Sequence, residues 1–471
     1  MKKFLDFLVA AASAALAVSC TFDANYTPDP VPVPDPYLCE IIDVQEFETP
    51  SEFKEYIAGT VSEYMDEDAG KIITGILYDV DILRLLAGIY EEQGTGDISA
   101  NITKYDFLYR STDENGSPVI LSGSAMLPTA VDPSVKKHEL DAVTLFSCIT
   151  EDGITVDGTP VQARAVFNQM VVTPDFQGYG SSEWYSKRVP YAYGVLAQQA
   201  VDCELAALEL LEKTGARMKK GYVTYNMGVS DESAVAMAVQ KLVEGSSNAT
   251  LKKSISLGST YCCAGNYDLT GLMSSMLAGN VDKIWRVPKL VGSVFLTNPD
   301  LFEGYSIEDL FSERFNSVRY AEGGSAYSLL DIIFRHKVSD SRLDEIFDSY
   351  DFKDVEDILN PDLLYDGYFD SFNPLAVALV DALARGDVYN GWKPGKALML
   401  EHGTADAVAD YETSYNCYET LNAASTAAGT VHEHTYLLLG HDTMCALGIS
   451  RMAIMQDPGS CILSKFSLDL K

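Results

Sequence analysis

The feature that most constrains this chain is a repeated change of period between residues 102 and 439. Short apolar runs of the kind that form buried strands lie at 142–146, 170–173, 222–227 and 255–262, and again at 397–402 and 435–439. Between them come stretches with apolar residues at helical spacing. One covers 193–211 through Val195, Leu196, Val201, Leu205, Leu208 and Leu211, and another covers 234–243 and stops at Gly245. Strands joined through helices cannot pair as hairpins, so they predict a mostly parallel α/β sheet covered on both faces. Its opening differs: runs 102–110 and 119–127 flank the turn signal Asp113-Glu114-Asn115-Gly116 and read as an antiparallel hairpin. Residues from about 266 to 390 break the alternation, being aromatic, acidic and mostly helical by pattern, and are expected to form a cap inserted between two strands.

A chain of 471 residues, 47% hydrophobic, has material for a large core. Its formal net charge is −34, with 68 acidic and 34 basic residues. That surface repels phosphate backbones, so nucleic acid is not expected as a partner. The N-terminus reads as an export signal over residues 1–19: Lys2 and Lys3, an apolar run over 4–18, then Ala17-Val18-Ser19-Cys20. That run is too short to span a bilayer as a mature helix. Ending on Cys20, it is similar to a loose bacterial lipobox, which implies a lipidated Cys20 and an anchor on the outer membrane. Residues 20–40 would be the tether, since Thr27 to Pro36 read TPDPVPVPDP and favour extended polyproline II. Thr49-Pro50-Ser51-Glu52 is a helix-start signal, so residues 41–100 are expected to be a helical N-terminal segment, with residues 101–471 the main domain. The eight cysteines after Cys20 match no zinc spacing, and one or two disulfides stay open.

The chemistry-bearing residues lie at predicted strand ends. A serine hydroxyl becomes a nucleophile when an imidazole takes its proton and a carboxylate holds that imidazole. Gly228-Val229-Ser230-Asp231-Glu232 joins a strand to a helix, the setting in which G-x-S-x-G presents a nucleophile, here Ser230. Glu232 replaces the last glycine and is expected to swing outward and strain or open the turn. A strand ending Glu401-His402-Gly403-Thr404-Ala405-Asp406 puts Asp406 past the sheet edge as the acid. Of six histidines only His441, after Tyr436-Leu437-Leu438-Leu439-Gly440, has the required order and position for the base. His432-Glu433-His434 lacks an evident third ligand, so no metal is expected. For an oxyanion hole, one backbone N–H should come from Asp231 and another from the loop after the third strand, at Cys148 or Ile149. Cys262 and Cys263 lack a nucleophile turn and read as core.

Taken together these strings resemble bacterial α/β-hydrolase lipoproteins related to secretory lipases and prolyl-oligopeptidase-like serine hydrolases. The resemblance runs from about residue 102 to 450. It is carried by Leu121-Ser122-Gly123 and Leu127-Pro128, by Thr173-Pro174-Asp175-Phe176-Gln177-Gly178-Tyr179-Gly180, and by Val189-Pro190-Tyr191. The Ser230 turn, residues 392–406 and Gly440-His441 complete it. It implies the α/β-hydrolase fold with a helical cap, and hydrolysis of a small-molecule acyl ester through Ser230, Asp406 and His441 without a cofactor. Two other readings stay open: a prolyl or aminopeptidase-type peptidase of the same fold, and a catalytically impaired surface lipoprotein that binds a ligand.

Overall fold

In a computed structural model of the chain, the described residues are 36–47, 52, 53, 56, 100–130, 137–148, 160–183, 185–280, 283–322, 324–335, 338–424 and 430–454. The export signal, Cys20 and the proline-rich tether lie outside them. So do residues 48–99 of the expected helical segment, apart from Glu52, Phe53 and Tyr56, which are helical.

The period changes do make one sheet. Its strands are β1 (Leu38–Phe47), β2 (Ala100–Thr112), β3 (Pro118–Ala130), β4 (His138–Ser147), β5 (Gln169–Pro174), β6 (Ala216–Val229), β7 (Leu257–Cys263), β8 (Ala397–Gly403) and β9 (Val431–Tyr436). They lie in the order β1-β2-β3-β5-β4-β6-β7-β8-β9. The first four in space pair antiparallel, and from β5 to β9 all pairs are parallel. The predicted hairpin is β2–β3: Asp113 Oδ1 accepts from Asn115 N and Ser117 N, and Gly116 takes φ +72°. The two strings after it meet in space. Asp175 N donates to Ser122 O at 2.9 Å, and the Ser122 hydroxyl donates to the Asp175 carboxylate while accepting from Ser181 N at 2.9 Å. This pins the loop after β5 to β3.

Two of the expected boundaries are corrected. Residues 41–47, read as part of a helical segment, belong to β1, which adds to the sheet edge along β2; the helix-start signal began only at Thr49 and gave no information on them. The last strand is Val431–Tyr436, not 435–439. Its partner β8 ends at Gly403, register partner of Tyr436, so nothing remains for residues 437–439 to pair with. They turn instead, with Leu438 at φ +63° and its N–H on Thr404 Oγ1 at 3.0 Å.

Side chains alternate between two buried faces. On one, α1 (Tyr193–Leu210) and α2 (Glu232–Gly245) pack against Leu145, Val172, Cys262 and Leu400. On the other, Phe146, Met227, Tyr261 and Cys263 meet Met444, Ile449 and Met452 of the last helix. The cap falls between β7 and β8. It contains α3 (Leu269–Leu277), α4 (Arg286–Thr297) and α5 (Pro374–Gly386), a further helix at Asp340–Ser349, shorter helical turns and two small hairpins. Its neck is closed by Val388 N to Tyr267 O at 3.1 Å and by the Asp387 carboxylate, which accepts from Thr270 N and Oγ1. After β8 comes α6 (Tyr411–Ala424), and after β9 comes α7 (His441–Ile454). The seven described cysteines are free thiols. Among the described residues no helix is long and apolar enough to cross a membrane.

Candidate active site

The C-terminal ends of β6, β8 and β9 bring the three predicted side chains together. β6 ends at Val229 and α2 begins at Glu232, leaving Ser230 and Asp231 to make the turn. Ser230 sits at φ +58°, a left-handed conformation costly for a residue with a Cβ. Two backbone bonds hold it there: Ser230 N to Cys263 O at 2.9 Å and Ser233 N to Ser230 O at 3.0 Å.

The turn is strained at Ser230 but closed, so the opening expected from Glu232 does not occur. The tight crossing falls at Gly228, where a Cβ would lie 2.3 Å from Glu232 O. Glu232 starts the helix, where an acidic side chain suits the helix dipole. One residue on, Ser233 Oγ lies within bonding distance of Gly228 O, Cys263 O and Cys263 N, tying α2 to β6 and β7. The small residue this contact requires is Gly265, whose Cβ would meet Ser233 Cβ at 2.6 Å.

Ser230 Oγ lies 2.9 Å from His441 Nε2, and His441 Nδ1 lies 2.8 Å from Asp406 Oδ2. Carboxylate oxygen accepts only, so Nδ1 carries the proton and Nε2 accepts from the serine hydroxyl. Asp406 Oδ1 accepts from Val408 N and Ala409 N at 2.9 and 2.8 Å. Burial alone would raise the Asp406 carboxyl, but hydrogen bonds from His402 and His441 outweigh it and hold it well below the usual carboxylate range. Burial opposes charge on His441 too, yet the neighbouring Cys445 and Asp406 raise its imidazole well above the ordinary value. A hydroxyl, an imidazole and an ionised carboxylate in this bonded order can move a proton off oxygen.

No family model matches the sequence, and no curated protein matches it. Solved structures do. The rice cell wall degrading esterase LipA from Xanthomonas oryzae superposes with a TM-score of 0.56 at 17% identity, covering 82% of this chain and 94% of that one. A Legionella pneumophila protein described as a hydrolase gives 0.54 at 13% identity, covering 88% and 96%. Together with the strand order, these near-complete superpositions decide the fold. The chain has the α/β-hydrolase fold.

In this α/β-hydrolase fold Ser230, Asp406 and His441 come in the expected chain order and at strand ends. The position of His441 is corrected in one respect: it opens α7 after the Leu437–Gly440 loop and does not follow directly on a strand. The oxyanion candidates are partly resolved. Asp231 follows the serine at the mouth of α2. Cys148 comes directly after Ser147, the register partner of Gly228, and therefore lies beside the nucleophile turn; Ile149 is outside the described residues. Gly403 permits the loop from β9 to pass over β8, since a Cβ there would lie 2.2 Å from Leu439 O. Cys262 and Cys263 are fully buried, as the core reading requires.

The sequence reading set His402 aside and missed its place. Its Nε2 lies 2.8 Å from Ala409 O and 3.1 Å from Asp406 Oδ2, so that nitrogen bears the proton, and Nδ1 accepts from Ser414 Oγ at 2.6 Å. Asp406 is therefore gripped by two imidazoles. The available signal was the spacing of four between His402 and Asp406 across a Gly-containing turn. Arg286 and Asn266, which meet Asp231 from the cap side, carried no sequence signal.

Proposed function

We propose that this chain is an exported serine hydrolase that cleaves carboxylic acyl esters through Ser230, His441 and Asp406. The observation that carries the reading is the continuous bonded series from Ser230 Oγ through His441 to Asp406, with Ser230 held in a left-handed turn. His441 Nε2 takes the hydroxyl proton as Ser230 Oγ bonds to the ester carbonyl carbon. The carbonyl oxygen becomes an oxyanion that accepts from Asp231 N–H. When the intermediate collapses, the C–O bond to the alcohol breaks and His441 returns its proton to the leaving oxygen. Water then attacks the acyl-enzyme with His441 again as base, releasing the acid and restoring the serine. The cycle draws on no cofactor. The esterase among the structural neighbours supports the choice of esters over peptides as substrate.

A chain-length series of nitrophenyl esters beside proline anilides tests the substrate class. Esters are expected to turn over in the wild type and not in Ser230→Ala. Turnover of anilides alone would make the protein a peptidase, and turnover of neither would leave a binding protein. We further propose that Cys20 is lipidated and holds the protein at the outer membrane. Cys20→Ser should then move it from the membrane fraction to the soluble one, and an unchanged distribution would remove the anchor.

A further inference from the structure

Among the buried charges that the acyl-transfer cycle above leaves without a task, Arg286 touches the catalytic loops most directly. Arg286 begins α4 in the cap, and its side chain is 6% exposed. Its guanidinium reaches three separate parts of the chain. Nε and Nη2 donate to the Tyr191 hydroxyl at 3.3 and 3.2 Å. Nη1 donates to Val408 O. Nη2 also faces Asp231 Oδ1 at 3.5 Å, and Asn266 Nδ2 donates to that same oxygen at 2.5 Å.

Two of these partners sit directly on the proposed machinery. Asp231 is the residue whose N–H would hold the oxyanion, and its side chain is clamped between the cap and the loop after β7. Val408 supplies, through its own N–H, one of the bonds that orient Asp406. Tyr191 belongs to the Val189-Pro190-Tyr191 string, which the triad itself does not explain. A planar guanidinium can hold several acceptors in fixed directions, and an ammonium in the same place cannot. Burying the charge is costly unless it is paired, so its partners and the cap helix that brings it are mutually fixed.

We infer that Arg286 is a positioning residue for the proposed reaction, contributed by the cap, which locks the Asp231 oxyanion donor and the Asp406 loop to each other. The inference rests on Ser230 being the nucleophile. The Arg286 end of α4 is then a fixed part of the catalytic geometry and not a removable cover.

Phosphonylation rates with a fluorophosphonate and burst kinetics with a short nitrophenyl ester, measured on Arg286→Ala, Arg286→Lys, Asp231→Asn and Ser230→Ala, test this. Both Arg286 variants should acylate on the order of 10²-fold more slowly, the cost of a small misplacement of reacting groups, with KM little changed. Millimolar guanidinium should restore part of the rate to Arg286→Ala and none to Arg286→Lys. Asp231→Asn should be slowed in the same direction. Wild-type acylation in the Arg286 variants, or a loss that only tracks their folded fraction and answers to no guanidinium, would overturn the inference. If neither Arg286 variant folds, a folded Asp231→Asn that acylates at the wild-type rate overturns it and a slow one supports it. Undiminished labelling of Ser230→Ala overturns the nucleophile, and the Arg286 role with it.

Discussion

At the scale of single residues, His441 sets how the site should respond to pH. Its imidazole is buried, which opposes charge, but Cys445 and Asp406 raise it well above the ordinary 6.5. The Asp406 carboxylate is bonded directly to the ring at Nδ1, so it is the anionic partner that substitution can remove. Catalysis needs the neutral ring, so kcat/KM for a nitrophenyl ester should rise with pH along a limb centred above 6.5. Asp406→Asn removes the charge that raises the ring and the acceptor that fixes its tautomer. Its limb should move to lower pH while the plateau falls by roughly 10³- to 10⁴-fold. A limb that stays in place in the variant would mean that Asp406 does not act on His441. Asp406 and His441 were legible in sequence because order and strand-end position leave few candidates. Glu232 misled, because a pattern of letters does not say which of two glycines bears the backbone crossing; here it is Gly228 alone. The His402 grip on Asp406 spans only four residues and was there to be read in the spacing, whereas the Arg286 grip is made by contacts between distant segments, which no local pattern encodes.

At the scale of elements, the alternation of period located the sheet, since strand and helix faces both had to be buried. It failed at β9, where the run Leu437-Leu438-Leu439 looks like a strand and is instead a loop; Leu437 and Leu438 are 79% and 85% exposed. Apolar letters predict burial only where a partner strand is present, and β8 has ended by then. Helix α1 shows the reverse, with carboxyls inside an apolar face. Glu204 is fully buried, its carboxyl accepts from the Thr224 hydroxyl at 2.6 Å, and burial pushes its pKa up to about 8. Asp202 is raised to about 7 by burial, against bonds from Ser111 and Gln198. For an acid raised in the folded state, the stability it contributes is full below its unfolded value near 4.5. That stability is lost as pH rises to about 8. Glu204→Gln should therefore flatten the fall in stability between pH 5 and pH 8, by on the order of 3 kcal/mol across that window. Urea melts at several pH values measure it. Parallel curves for the two proteins would show that Glu204 does not stay protonated in the fold.

At the scale of the whole molecule, the fold joins residues far apart in sequence: 211 positions separate Ser230 from His441. The cap insertion is what makes that separation large, and it enters the site through Arg286. The other end of the chain is tied as well. Tyr37 N and Leu38 N donate to the Glu209 carboxylate at the end of α1, which fixes the start of β1 to the body. The mostly parallel sheet with its opening hairpin and the chain order of Ser230, Asp406 and His441 were readable ahead of the structure, because each follows from local pattern; the spatial order of the strands was not. The added edge strand β1 was not, because its residues Glu40, Asp43 and Glu46 alternate too weakly to announce a buried face.

The central claim is that this fold makes Ser230 a nucleophile activated by His441. Intact-mass and peptide mapping after treatment with a fluorophosphonate reads this directly. One adduct per chain is expected, on Ser230, absent in Ser230→Ala and strongly slowed in His441→Ala. No adduct on the folded wild-type protein, or an adduct on another residue that persists in Ser230→Ala, would contradict it.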